Sequence, residues 1–174
     1  MPTVTEKQAR CRVFTFKEGL LSAVAHDLEI DVQHLSVTWD DARTSLRATF
    51  DPRSLRVLHA VHDGHPVPSA LSDRDKRKIE STIVEEVLHA GRHPEIAVEA
   101  DLEAIDERRI RVAARVTITG RTRPLALEAA RDDGTWRCRA TLHQPDFGIT
   151  PYSAMLGTLK IKPDVVVELT ISET

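Results

Sequence analysis

Apolar and polar residues alternate with a period near two along most of this chain. From Arg109 to Ile118, the residues Ile110, Val112, Ala114, Val116 and Ile118 fall on one face, with Arg109, Arg111, Arg115 and Thr117 on the other. That is the pattern of a strand that buries one side and solvates the other. Leu125, Leu127 and Ala129 against Glu128 repeat it, as do Trp136, Cys138, Ala140 and Leu142 against Arg137, Arg139 and Thr141. GRTRP at Gly120 to Pro124 and DDG at Asp132 to Gly134 supply residues that reverse a chain. Three consecutive strands therefore read as an antiparallel meander.

Upstream, Leu28, Ile30 and Val32 alternate, and Leu35, Val37 and Trp39 follow on the opposite parity. A bulge at Gln33 and His34 is expected to restore the register. Leu46, Ala48 and Phe50 make a strand ending at Asp51-Pro52, Ile96, Val98, Ala100 and Leu102 make another, and Val165, Val167, Leu169 and Ile171 close the chain. The period changes between Ser72 and His89, where Ile79, Ile83, Val84, Val87 and Leu88 form a helical stripe with Asp73, Arg74, Arg77, Lys78 and Glu85 largely off it. Ser72 and Asp75 resemble a capping box, Gly91 and Pro94 stop the helix, and His59 to Ala70 reads as a loop. Such a sheet removes its unpaired edges most simply by closing. The expected fold is mostly β: one domain over residues 1–174, an antiparallel barrel of about eight strands with one main α-helix over 72–89. A β-sandwich is the alternative, but the helix with its one-sided stripe needs a barrel end or flank on which to dock.

Composition narrows the function classes. The chain has 174 residues, 41% hydrophobic and 29% charged, which suits one globular core. Its 24 Lys and Arg against 27 Asp and Glu give a formal charge of −3, so no basic excess favours nucleic acid. No segment reaches the ~20 apolar residues of a membrane-spanning helix. The opening residues MPTVTEKQARCRV hold no apolar run after their first charges, so a cytoplasmic location is expected. Cys11 and Cys138 are too few and too distant in sequence for a disulfide framework or zinc knuckle, and read as reduced, partly buried thiols.

Residues with chemical potential are sparse. A carboxylate beside an imidazole can fix its tautomer, but His26 and Asp27 are adjacent on a strand and point to opposite faces. His26 reads as a structural residue or a ligand head-group contact rather than a catalyst. His59, His62 and His65 recur every three residues, yet Gly64 and Pro66 oppose the helix that would gather them, so a solvated loop is expected rather than a metal site. No nucleophile elbow, phosphate loop or paired-His motif occurs. PDFGI at 145–149 matches a kinase motif without the rest of its machinery. No enzymatic activity, cofactor or metal is assigned.

A set of short segments, in one order, carries a resemblance. HAGRHPEIAVEA at 89–100, RVTITGRTRPLALEA at 115–129, HQPDFGI at 143–149 and LGTLKIKPDVVVELTI at 156–171 resemble the YceI-like family of polyisoprenoid-binding proteins. FKEGLLSAVAHDLEIDV at 16–32 and TPYSAMLGTLK at 150–160 are similar to a bacterial branch of it. The resemblance implies a lipocalin-like barrel of about eight strands around an elongated apolar cavity, with a helix beside it and a long isoprenoid chain inside. A homodimer formed by barrel surfaces is compatible with it.

The expected function is to bind, and so carry or sense, an apolar chain: an isoprenoid, a quinone or a fatty acid. The alternative is a filled barrel serving as a protein-interaction module. The alternation turns Ala48, Ala100, Ala114, Ala129, Cys138 and Ala140 inward, and side chains this small leave volume unfilled unless Phe14, Phe16, Phe50, Trp136 and Phe147 interdigitate with them. The ligand contacts expected are His26, Phe50, Val112, Ala114, Val116, Leu127, Cys138, Ala140, Phe147, Tyr152, Val167 and Leu169.

Overall fold

The computed structural model describes residues 1–19 and 25–173. In chain order the strands are β1 (Thr3–Thr5), β2 (Ala9–Thr15), β3 (Asp27–Val32), β4 (Leu35–Trp39), β5 (Ser45–Phe50), β6 (Leu55–His62) and β7 (His65–Val67). Helix α1 (Asp73–Thr82) follows, then β8 (Ile96–Ala104), β9 (Arg109–Ile118), β10 (Arg121–Asp132), β11 (Thr135–His143), β12 (Ser153–Ala154), β13 (Leu159–Lys160) and β14 (Asp164–Ser172). Among the described residues twelve strands form one antiparallel sheet in the order β1-β4-β5-β8-β9-β10-β11-β14-β2-β3-β6-β7, and β12 pairs only with β13. The expectation of about eight strands in a closed barrel is thus corrected. The sheet is larger and its two edge strands, β1 and β7, do not pair.

The β8-β9-β10-β11 meander stands as the alternation predicts. Its turns are tighter than expected, because Thr119-Gly120 and Asp133-Gly134 both have positive φ at each position, the twist that two-residue hairpins require. Pro124 consequently lies inside β10, at a point where its register partner is Arg115 of β9 and no residue of β11. An edge position of that kind accommodates a missing N–H. Asp63-Gly64 makes a third such turn, so the expected loop at 59–70 is in part a β6–β7 hairpin with His62 opposite His65.

Gln33 and His34 do not form a bulge. They form a corner at which the chain changes partners, from β3 on β2 and β6 to β4 on β1 and β5. Ser54 holds this corner: its carbonyl accepts from the Gln33 N–H at 3.2 Å, and its hydroxyl accepts from the His34 N–H at 2.9 Å while donating to Asp51 O at 2.8 Å. The Asp51 N–H returns to His34 O at 3.0 Å. The register shift lies elsewhere, between Glu29 and Ile30 where β3 meets β6.

The helix begins as expected. Ser72 Oγ accepts from the Asp75 N–H at 3.2 Å and Asp75 Oδ2 accepts from the Ser72 N–H at 3.0 Å, a complete capping box. It ends sooner, since α1 stops at Thr82 and passes into a wider π-helical turn over Ile83–Val87. The Leu88 N–H reaches Ile83 O at 2.9 Å, and His89, at positive φ, ends the coil before Gly91. Glu80 Oε1 accepts the Val57 N–H at 2.9 Å and ties the helix to β6.

On the outer face, charges alternate across the ladder from β11 to β6: Arg139, Glu168, Arg12, Asp31 and Arg56 occupy successive partner positions. Arg139 pairs with Glu168 and Arg12 with Asp31. A one-residue slip would set apolar groups opposite these charges, so the stripe supports the register. The corner makes a sharper prediction. Replacing the buried Ser54 by alanine strands the His34 N–H, and should lower the free energy of urea unfolding by about 1–3 kcal/mol. An unchanged midpoint would mean the corner is held by its apolar surroundings alone.

Candidate functional site

Two clusters of buried side chains occupy the inside of the curled sheet. One joins β2, β3, β4, β5 and β6 around Ile30, Val37 and Ala48, where Val37 is fully buried. The other joins β8 and β9 to the 147–149 segment through Ala100, Ala114, Val116, Ile118, Phe147 and Ile149. Between them lies a cavity of about 950 Å³. Its wall takes the inward residues of β2, β3, β5, β8, β9, β10, β11 and β14, together with Ile79, Ile83, Val87 and Leu88 from the helix and the turn after it.

All twelve residues expected to contact a ligand are on this wall. Val112, Ala114 and Val116 come from β9, Leu127 from β10, Cys138 and Ala140 from β11, and Val167 and Leu169 from β14. Phe50 lines it from β5, Phe147 and Tyr152 from the segment between β11 and β12, and His26 from the residue before β3. The small inward residues lie in register: Ala100 and Ala114 are partners, as are Ala129 and Cys138. Of the five large residues that were to fill the gaps, Phe50, Trp136 and Phe147 do line the cavity. Phe14 does not, and the Arg139 guanidinium sits 5.8 Å from its ring centroid; Phe16 is likewise off the wall.

Several lining residues are absent from the expected set. Cys11, Val13 and Thr15 lie on the inward side of β2, which alternates with Arg10, Arg12 and Phe14; that alternation was the available signal. The helix stripe was legible, but as a docking face rather than a cavity wall. Ala154, Leu159 and Ile161 of the β12–β13 region carry no periodic signal. The wall also has a seam. β10 and β11 share ladder pairs only from Ala129 with Cys138 to Asp132 with Thr135, whereas β11 stays paired to β14 along its length.

The histidines go separate ways. His59 Nε2 lies 2.7 Å from Glu29 Oε2, His62 Nε2 lies 3.3 Å from Asp63 Oδ2, and among the described residues no three metal-binding side chains converge. Among the described residues Asp27 makes no hydrogen bond to His26; its Oδ1 accepts the Lys17 backbone N–H at 2.8 Å.

The two cysteines flank Leu169, Cys11 on β2 and Cys138 on β11. Burial pushes the Cys11 thiol up to about 12, with Cys138 and Asp31 adding and Arg12 opposing. Burial also raises Cys138, against a hydrogen bond from the Leu169 backbone. Both thiols are therefore neutral and poor nucleophiles at pH 7. A folded-state value above the unfolded 9.0 gives stability that is complete below pH 9 and is lost as pH rises toward 12. Cys11→Ala should accordingly flatten the fall in thermal stability across that window relative to the parent protein. Equal slopes in the two would show that Cys11 is not shielded from ionisation.

The comparisons with known proteins fit this architecture. The solved structures that superpose on the chain include BcnA of Burkholderia cenocepacia, with a TM-score of 0.66 at 12% identity over 97% of this chain and 98% of that one. A polyisoprenoid-binding domain from Saccharophagus degradans, implicated in plant cell wall breakdown, gives 0.63 at 11% identity over 95% and 94%. The YceI protein of Campylobacter jejuni gives 0.52 at 14% identity over 79% of each chain. At these identities the likeness is one of fold. No curated protein sequence matches the chain. The model of the YceI-like domain matches residues 7–172, and the chain belongs to the YceI-like family.

Proposed function

We propose that this protein binds one long apolar molecule inside the sheet, and carries or senses it. The observation that carries the proposal is the cavity of about 950 Å³ walled mainly by aliphatic, alanine and aromatic side chains. A structure built to be filled by its own side chains would hold its interior near crystal-like density, with few voids larger than a water. Here the inward residues Val112, Leu127, Cys138, Ala140, Val167 and Leu169 are only half-buried, because they face the hollow. That apolar surface gains free energy when a chain covers it. About ten methylenes contribute roughly 8 kcal/mol at ~0.8 kcal/mol each before association costs, so no charged contact is needed.

The polyisoprenoid-binding character of the Saccharophagus degradans domain supports the reading, as does family membership. An isoprenoid, a quinone or a fatty acid all satisfy the wall, and the twelve residues named above are the proposed contacts. The packed-scaffold alternative finds less support, since it requires a filled interior. Among the described residues no helix is long and apolar enough to cross a membrane.

Ala114 tests the proposal. It is buried in mid-wall, between Ala100 and Leu125 in register. Ala114→Phe should abolish uptake of the neutral fluorophore N-phenylnaphthylamine and its displacement by geranylgeraniol, with thermal stability kept or slightly raised as the ring fills empty space. A stability loss of ~1–3 kcal/mol with no uptake even in the parent protein would identify an already dense core and overturn the proposal.

A further inference from the structure

Large apolar side chains seldom stand in the open on this protein. Among the described residues the exposed ones are Met1, Met155 and Leu156, and the last two are neighbours. They form the tip of the small β12–β13 hairpin, in which Ser153 is paired with Lys160 and Ala154 with Leu159. Both hold positive φ, 53° at Met155 and 56° at Leu156, a region that a Cβ makes costly and that glycine or asparagine occupies more readily. Met155 O keeps the turn in this shape, accepting from the Thr158 N–H at 3.2 Å and from Thr158 Oγ1 at 2.7 Å. Asparagine or glycine would suit these positions better in both backbone and exposure, so the fold itself gives no reason for the pair.

The hairpin stands where the cavity reaches the surface. Met155 lines the cavity and is 64% exposed, and Ala154, Leu159 and Ile161 line it from the same hairpin and the residue after it. On its other edge this segment pairs with the chain that leaves β2. The Glu18 N–H donates to Lys160 O at 2.9 Å, the Lys162 N–H donates to Phe16 O at 2.8 Å, and Lys17 bridges Ile161. The pairing gathers Lys17, Lys160 and Lys162 against one carboxylate, Glu18, and none of the three lysine side chains has an ion-pair partner among the described residues. Two further carboxylates, at neighbouring strand ends, are taken: Asp27 Oδ1 accepts the Lys17 backbone N–H at 2.8 Å, and Asp164 Oδ1 lies 2.6 Å from His143 Nδ1. The rim is therefore basic on a chain whose formal charge is −3.

An apolar pair flanked by unpaired lysines matches the interface of an anionic bilayer, where the pair leaves water for the acyl boundary and each lysine meets lipid phosphate. A protein partner is matched less well. Stable protein interfaces bury about 1,200 Å² or more, and two side chains on a hairpin tip offer a small part of that. The net negative charge of the remaining surface is repelled by the same membrane, so only this rim is presented to it. We propose that the β12–β13 tip, with Lys160 and Lys162, docks the protein on anionic phospholipid and sets the cavity opening against the bilayer. Together with the apolar-ligand reading above, this gives a long chain a path between membrane and cavity that avoids water. Docking itself does not depend on what the cavity holds, so it is tested separately from that reading.

The experiment is flotation of the protein with vesicles of phosphatidylcholine alone and of phosphatidylcholine mixed with phosphatidylglycerol, using the parent, Leu156→Asn and Lys160→Glu/Lys162→Glu. The parent should bind the mixed vesicles at least roughly tenfold more tightly than the neutral ones, and high salt should remove the difference. Leu156→Asn should weaken binding to the mixed vesicles roughly tenfold, with an equal or higher unfolding midpoint, since asparagine takes positive φ more readily. Leu156 is not on the cavity wall, so uptake of N-phenylnaphthylamine from water should match that of the parent. Lys160→Glu/Lys162→Glu should erase the preference for mixed vesicles, at about fivefold or more for each lysine. A parent that binds neither vesicle, or binding that either variant leaves unchanged, overturns the proposal with the apolar-ligand reading intact. A parent dimer that Leu156→Asn makes monomeric also overturns it, by showing that a second copy covers the tip. Absence of probe uptake by the parent overturns the apolar-ligand reading alone.

Discussion

A sheet that curls round its own apolar face encloses a volume, and that volume must be filled by its side chains or left open. In this protein the choice is made by side-chain size. Near the corner, inward residues such as Leu35, Val37 and Val57 meet away from the cavity and exclude solvent. Along β9, β10 and β11 the inward positions include Ala114, Ala129, Cys138 and Ala140, which are too short to reach across. The same alternation thus yields a dense core in one region and a hollow in another.

The backbone is what allows the hollow to persist. Side chains beside a void forfeit dispersion contacts, so stability has to come from elsewhere. The long ladders of β8 with β9, β9 with β10 and β11 with β14 satisfy the backbone without help from the interior. The outer stripe from Arg139 to Arg56 discourages slippage, and the Ser54 corner joins the two ends of the sheet through the chain itself. Thr119 Oγ1 anchors the segment over one end by donating to Phe147 O at 2.6 Å. The open edges β1 and β7 are three residues each, too short to template another chain readily.

Much of this was legible because period-two patterning is local: the meander, the closing strand and the inward face of each followed from parity alone. The capping box was equally readable, being fixed by two residues three apart. What parity does not encode is partner choice. The break between Val32 and Leu35 has the same appearance for a bulge and for a corner, and only Ser54, twenty residues on, decides between them. The third hairpin was hidden because His, Pro and Gly between 59 and 70 suggested a loop, although Asp63-Gly64 carries the turn signal. Thr15 was missed for another reason: one polar residue ending an inward run is invisible until the chain's other end packs beside it. The segment 16–32 used for the family resemblance lies in part outside the described residues.

The central claim, that the hollow is a binding site, is tested most directly by native mass spectrometry of the freshly purified protein, followed by mass spectrometry of its organic extract. The account predicts a species heavier than the 19.4 kDa polypeptide by one small molecule, removed by solvent extraction and recovered in the extract as a long apolar chain. A bare polypeptide mass that stays bare after incubation with geranylgeraniol and hexadecanol would contradict it.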